Sequence, residues 1–95
     1  MTREELNKIL VEHHFKLISE HNNKRMTTYT YTYTYTCSIS YFKRFITFNV
    51  LNGSDDIYND SVLYEIQSPI YYRTIDSSEW KGIQEVKDYL IRNHF

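Results

Sequence analysis

Four histidines, one cysteine and a short acidic run are the residues of this chain most able to do chemistry. His13 and His14 are adjacent, and neighbours on a regular helix diverge by ~100°, so the two do not ligate one metal together. Pairing His13 with His94, or His14 with His21, would need tertiary contact that no local spacing supplies. Cys37 has no activating group nearby and sits inside a strand-like pattern, which marks it as a small core residue and not a nucleophile. Asp55, Asp56 and Asp60 form a weak cation or phosphate-mimic cluster, yet they lack the ligand spacing and closing glutamate of an EF-hand loop, so a solvated turn fits them better. Gly53 and Gly82 are the only glycines, which leaves little material for a phosphate loop or nucleophile elbow. The chain reads as a non-enzymatic protein that needs no metal and no cofactor.

The most informative segment is TYTYTYTYTCSISY, from Thr28 to Tyr41. Its strict alternation sends Tyr29, Tyr31, Tyr33, Tyr35, Cys37, Ile39 and Tyr41 to one face and hydroxyl residues to the other, which is the period of a strand. At ~3.3 Å per residue the ribbon runs roughly 43 Å, beyond the ~17 to 20 Å of an ordinary strand. The expected arrangement buries Cys37, Ile39 and Tyr41 with Tyr35 and leaves Tyr29, Tyr31 and Tyr33 overhanging the domain as an exposed aromatic row. Such a row suits protein contact, because tyrosine offers rigid amphipathic area at low entropic cost. Alternatively it stacks bases of a single-stranded nucleic acid, with Lys24, Arg25, Lys43 and Arg44 tracking phosphates. A third option is a homodimer made by pairing the long strand edge to edge, in a structural or regulatory role.

Charge favours the protein reading. Eleven basic and twelve acidic residues give a net charge of −1, far from the basic balance of a general nucleic-acid binder. Residues 1–48 carry seven Lys or Arg against four Glu, and residues 49–95 carry four against eight acids, so the halves form a charge dipole. The single cysteine excludes an internal disulfide, and the longest apolar run is Ile9 to Val11, too short for a signal peptide or membrane span. A cytoplasmic setting is expected, with no membrane partner.

These residues must be positioned by a small number of elements. Thr2 with Glu5 forms a capping-box pattern, and Leu6, Ile9, Leu10, His13 and Leu17 recur at helical spacing, which predicts a helix to about Glu20. After the tyrosine strand, Tyr41 to Arg44 turns the chain. Phe45 to Leu51 reads as a second strand with Ile46, Phe48 and Val50 on one side. Asn52 to Asp56 is then a turn by its chemistry. Ser61 to Gln67 is a third strand and Ile70 to Ile75 a fourth, separated by Pro69. Asp76 to Glu79 supplies a second capping signal before Trp80, Ile83, Val86, Leu90 and Ile91, which predict a helix to about Asn93. The expected fold is α+β, a single domain over residues 1–95. Its antiparallel meander has about four strands, with both terminal helices on one face, in the order α-β-β-β-β-α.

A short, motif-free chain whose amphipathic first helix leads into TYTYTYT resembles the small anti-CRISPR proteins carried by phages and mobile elements of Gram-positive bacteria, over roughly its first forty residues. The resemblance implies an inhibitor that binds a CRISPR effector nuclease such as Cas9 inside the host bacterial cell. Several such inhibitors mimic DNA with dense carboxylates; this chain departs from that pattern, with Asp55, Asp56, Asp60 and Glu65 as its one local cluster. The candidate contact residues are therefore Tyr29, Tyr31, Tyr33, Lys43, Arg44, Asp55, Asp56 and Asp60.

Overall fold

The computed structural model describes residues 1–33, 43–68 and 73–93. Helix α1 (Arg3–Glu12) is followed by strands β1 (Phe15–Asn22), β2 (Met26–Tyr33), β3 (Lys43–Leu51), β4 (Ile57–Ser68) and β5 (Arg73–Lys81), then helix α2 (Ile83–Arg92). The strands form one antiparallel sheet in sequence order, β1-β2-β3-β4-β5. Sequence reading anticipated the α+β class and the meander; the sheet has five strands, not four. The expectations for Tyr35, Cys37, Ile39, Tyr41, Pro69 and His94 lie outside the described residues.

Helix α1 begins as its capping pattern requires, with Thr2 Oγ1 accepting the Glu5 amide at 3.2 Å. It buries Leu6 and Leu10, one turn apart, and then stops eight residues before the expected end. His14 adopts a left-handed conformation (φ 70°), which breaks the helix. Leu17, expected on the helical face, and Phe15 instead face the core from β1. Pairing with β2 wins here because an unpaired tyrosine strand would expose a full row of backbone donors and acceptors.

The second correction is at the other end. Asp76 to Glu79 do not cap a helix; they lie in β5, and Trp80 is a strand residue opposite Val62. Its ring stacks on Tyr64 (5.0 Å between centroids) and tilts against Tyr89 of α2 (4.7 Å). Helix α2 starts after Gly82, whose φ of 83° makes the sharp exit from β5, and Glu85 Oε2 accepts the Lys81 amide at 2.8 Å.

Cross-strand register divides the sheet into alternating rows. Leu17, Tyr31, Ile46, Tyr64 and Ser78 form one row, and Glu20, Tyr29, Phe48, Val62 and Trp80 the next but one. Both point toward the helices, where Leu6 and Leu10 of α1 and Val86 and Leu90 of α2 complete one apolar core. Tyr31 is fully buried and donates its hydroxyl to Asn7 of α1. Burial raises its pKa. Tyr29 is 7% exposed, with the Arg3 guanidinium 4.3 Å above its ring. The overhang expected of Tyr29 and Tyr31 is therefore overturned: β2 is interior, with β1 on one side and β3 on the other, and its rings are core.

Two buried tyrosines differ in one respect. Tyr31 has a hydrogen-bond partner, whereas the Tyr64 hydroxyl, enclosed beside Tyr89 and Arg44, forms no hydrogen bond of good geometry. Tyr31→Phe is expected to lower the unfolding free energy by about 1 kcal/mol, while Tyr64→Phe leaves it unchanged or raises it. Tyr31→Ala should cost about 3 to 5 kcal/mol by emptying a core site. Chemical denaturation of the three variants checks this ordering.

Candidate functional site

The rows between the buried ones point away from both helices. Lys16, Thr32, Phe45, Glu65 and Ser77 form one such row, and Ser19, Thr30, Thr47, Leu63 and Glu79 form another. No described element covers them. The result is a five-strand platform with Phe45 and Leu63 near its middle and charged residues around them.

The threonines of β2 give this platform an unexpected character. Thr28 donates to Asn49 Oδ1 at 2.6 Å, Thr32 donates to the Arg44 carbonyl at 3.1 Å, and the hydroxyls of Thr30 and Thr47 meet at 3.4 Å. Thr28 and Thr32 spend their protons on β3 and are not free donors for a ligand, while Thr30 and Thr47 share a single contact in which either hydroxyl can donate, so one of that pair keeps its proton. The carboxylates at the margin are likewise engaged. Glu79 Oε1 accepts from Lys81 Nζ at 2.8 Å and from the Ser61 hydroxyl. The Lys81 hydrogen bond, followed by that of Ser61, holds the Glu79 carboxyl below its ordinary pKa. Glu65 Oε2 accepts from Thr74 at 2.8 Å.

The candidate contact residues do not assemble into one surface. Tyr29 and Tyr31 are inside the core. Tyr33, Lys43 and Arg44 come together at one end of the sheet, where Tyr33 packs 5.6 Å from Phe15 and the Arg44 guanidinium lies 5.8 Å from its ring. Lys43 and Arg44 are strand residues, not the turn expected of them. Asp55, Asp56 and Asp60 lie at the opposite end, against the start of the chain. The Asp55 carbonyl accepts from the Arg3 amide at 2.8 Å, Asp56 bridges Thr2, and Asp60 Oδ1 accepts from the Met1 α-amine at 2.7 Å.

Edge pairing through the tyrosine strand has no free edge over residues 26–33. The true edge strands, β1 and β5, each carry a register break beside an exposed isoleucine, Ile18 and Ile75. Bulges of this kind disfavour edge-to-edge association. Base stacking loses two of its three expected carriers, since the rings of Tyr29 and Tyr31 are inaccessible, while Tyr33 is half-buried. Among the described residues, no helix is long and apolar enough to cross a membrane.

Sequence reading missed one feature entirely. Phe48 pairs with Val62 and Val50 with Ile57, so Tyr58, Asn59, Asp60 and Ser61 bulge from β4 opposite Asn49. Asn59 (φ 54°) and Asp60 (φ 50°) are both left-handed. Asn and Asp tolerate that region better than other side-chain-bearing residues, and the adjacent Asn-Asp pair within an apolar alternation was the available signal. The bulge is pinned by the Asp60 to Met1 ion pair and by the Gly82 amide donating to the Asp60 carbonyl at 3.0 Å.

The hydrogen bond to Asp60 raises the Met1 amine above its ordinary pKa of 8.0. The folded amine thus holds its proton more tightly than the unfolded one. The pair contributes its full stabilisation below pH 8.0 and loses it as the pH climbs through the raised value. Thermal unfolding from about pH 7 to about pH 10 should show Asp60→Asn less stable than the parent at the lower end, with the gap closing toward the upper end. Asn retains the left-handed tolerance of Asp, so the comparison isolates the charge. Comparison with protein-family models, with characterised proteins and with solved structures finds no match to this chain.

Proposed function

We propose that this chain is a non-enzymatic protein-binding module that lays the uncovered face of its sheet against a protein partner. The observation that carries the reading is that, among the described residues, no helix lies over one whole face of the five-stranded sheet, while Thr28 and Thr32 on that face already donate to β3. Five strands at ~4.8 Å and about seven residues at ~3.3 Å give a platform of roughly 550 Å². That is most of the ~800 Å² a partner contributes to a standard interface. Phe45 and Leu63 supply a small apolar centre, and Lys16, Glu65, Glu79 and Lys81 supply the polar rim that such interfaces carry.

A protein suits this face better than a nucleic acid. Its three lysines, Lys16, Lys43 and Lys81, are largely offset by Glu65 and Glu79, and the aromatic row that would stack bases is turned the other way. The partner class that the sequence resemblance nominates is a CRISPR effector nuclease such as Cas9, met in the cytoplasm of a bacterial host and blocked by direct contact. The acidic cluster is less suited to DNA mimicry, because the Asp60 carboxylate is paired with the Met1 amine, which leaves the cluster the carboxylates of Asp55 and Asp56.

Target cleavage by purified Cas9 with its guide RNA provides the test. The parent protein should inhibit, Leu63→Arg should weaken inhibition by at least about tenfold, and Val11→Arg on the exposed side of α1 should not. Equal melting temperatures for the three proteins would show that folding is intact. Cleavage unaffected by the parent protein rules out this nuclease as the partner, and undiminished inhibition by Leu63→Arg rules out the sheet face.

A further inference from the structure

A recess of about 240 Å³ lies beside the β4 bulge at the margin of the platform, its lining including Asn49, Tyr58, Asn59, Ser61, Glu79 and Lys81. We propose that this recess is a binding site for a small uncharged polyhydroxyl ligand, a single sugar ring. Four observations converge on that chemistry, and none depends on the identity of the protein partner.

First, the site has no net charge to offer. Among the described residues, Glu79 and Lys81 are the ionisable walls apart from the Tyr58 phenol, and they are paired to each other at 2.8 Å. A phosphate or a metal ion would meet an already compensated pair. Second, the polar atoms left over are donors and acceptors side by side. Ser61 and Lys81 both bond Oε1 of Glu79, which leaves Oε2 open as an acceptor. Thr28 holds Asn49 by its Oδ1, which fixes the amide and leaves Nδ2 as a donor. Neighbouring sugar hydroxyls, each able to donate and accept, match such an alternation.

Third, apolar surface stands beside these groups. Tyr58 is 42% exposed and Leu63 38%, so a ring's C–H face has somewhere to rest while its hydroxyls meet the amide and carboxylate. Fourth, the gap is held open at a cost. Asn59 and Asp60 are two successive left-handed residues bearing side chains, a conformation that L-residues adopt only at an energetic cost, smaller for Asn and Asp than for others. Strain of this kind gathers at ligand sites.

Amide-resolved NMR of the full chain tests the proposal, with the methyl glycosides of glucose, galactose, mannose and N-acetylglucosamine as probes and glycerol as a reference. At least one glycoside should shift the side-chain amide signals of Asn49 and Asn59 saturably, with a dissociation constant on the order of 1 to 10 mM, and glycerol should not. Tyr58→Ala and Glu79→Gln, both at exposed positions, should each weaken binding by about tenfold, with Lys87→Ala on α2 as an unchanged control. Absence of a saturable shift with all four glycosides overturns the proposal. So does binding that is as tight in Tyr58→Ala and Glu79→Gln as in the parent. Cas9 inhibition plays no part in the readout, so either proposal can fail without the other.

Discussion

The structure depends on the strict two-residue period of β2 at a position where both of its edges are paired. Once β1 and β3 flank the strand, Tyr29, Tyr31 and Tyr33 must turn to one side, and Thr28, Thr30 and Thr32 to the other. The aromatic side is then the natural place for two helices. Tyr31, opposite Leu17 and Ile46, sits at the centre of this layer, and its contact with Asn7 ties α1 to the sheet by a hydrogen bond as well as by apolar area. The hydroxyl side follows from the same period, and its cross-strand bonds to β3 make a polar sequence pattern into a comparatively dry surface.

What was legible in the sequence was what local periodicity and turn chemistry determine. Ile46, Phe48 and Val50 are buried on one side of β3 as their alternation required, and Asn52 to Asp56 turns the chain with Gly53 at φ 86°. Thr2 caps α1. Errors arose where two periods compete over a short apolar stretch. Phe15, Leu17 and Ile18 fit a helix until β2 offers an edge to be covered, and Trp80 fits the start of α2 until β4 offers Val62 as a neighbour. In both cases long-range pairing outweighed local preference.

The surface was less legible than the fold for a related reason. Which face of an alternating strand is covered depends on where the helices pack, and nothing within TYTYTY encodes that. Reading the tyrosines as an overhang followed from the apparent length of the ribbon, whereas the first of them lie deep in the sheet beneath α1. The bulge at Tyr58 to Ser61 had a compositional trace in Asn59-Asp60, but its anchoring partners, Met1 and Gly82, are distant in sequence. The recess beside it draws its lining from β3, β4 and β5 together, so no single stretch of sequence encodes it.

The next-neighbour order of the five strands has a consequence for how the molecule assembles. Each strand joins the one that precedes it, so a hairpin-by-hairpin route is open with modest loop closures throughout the sheet. The ties from Met1 to Arg3 across to residues 55–60 are of another kind, since the Met1 to Asp60 bond spans 59 positions. They join the start of α1 to residues 55–60 across the whole of β1, β2 and β3. Contacts of that span pin the covering helix at its first turn to the middle of the chain, which makes residues 1–3 the clasp of the fold.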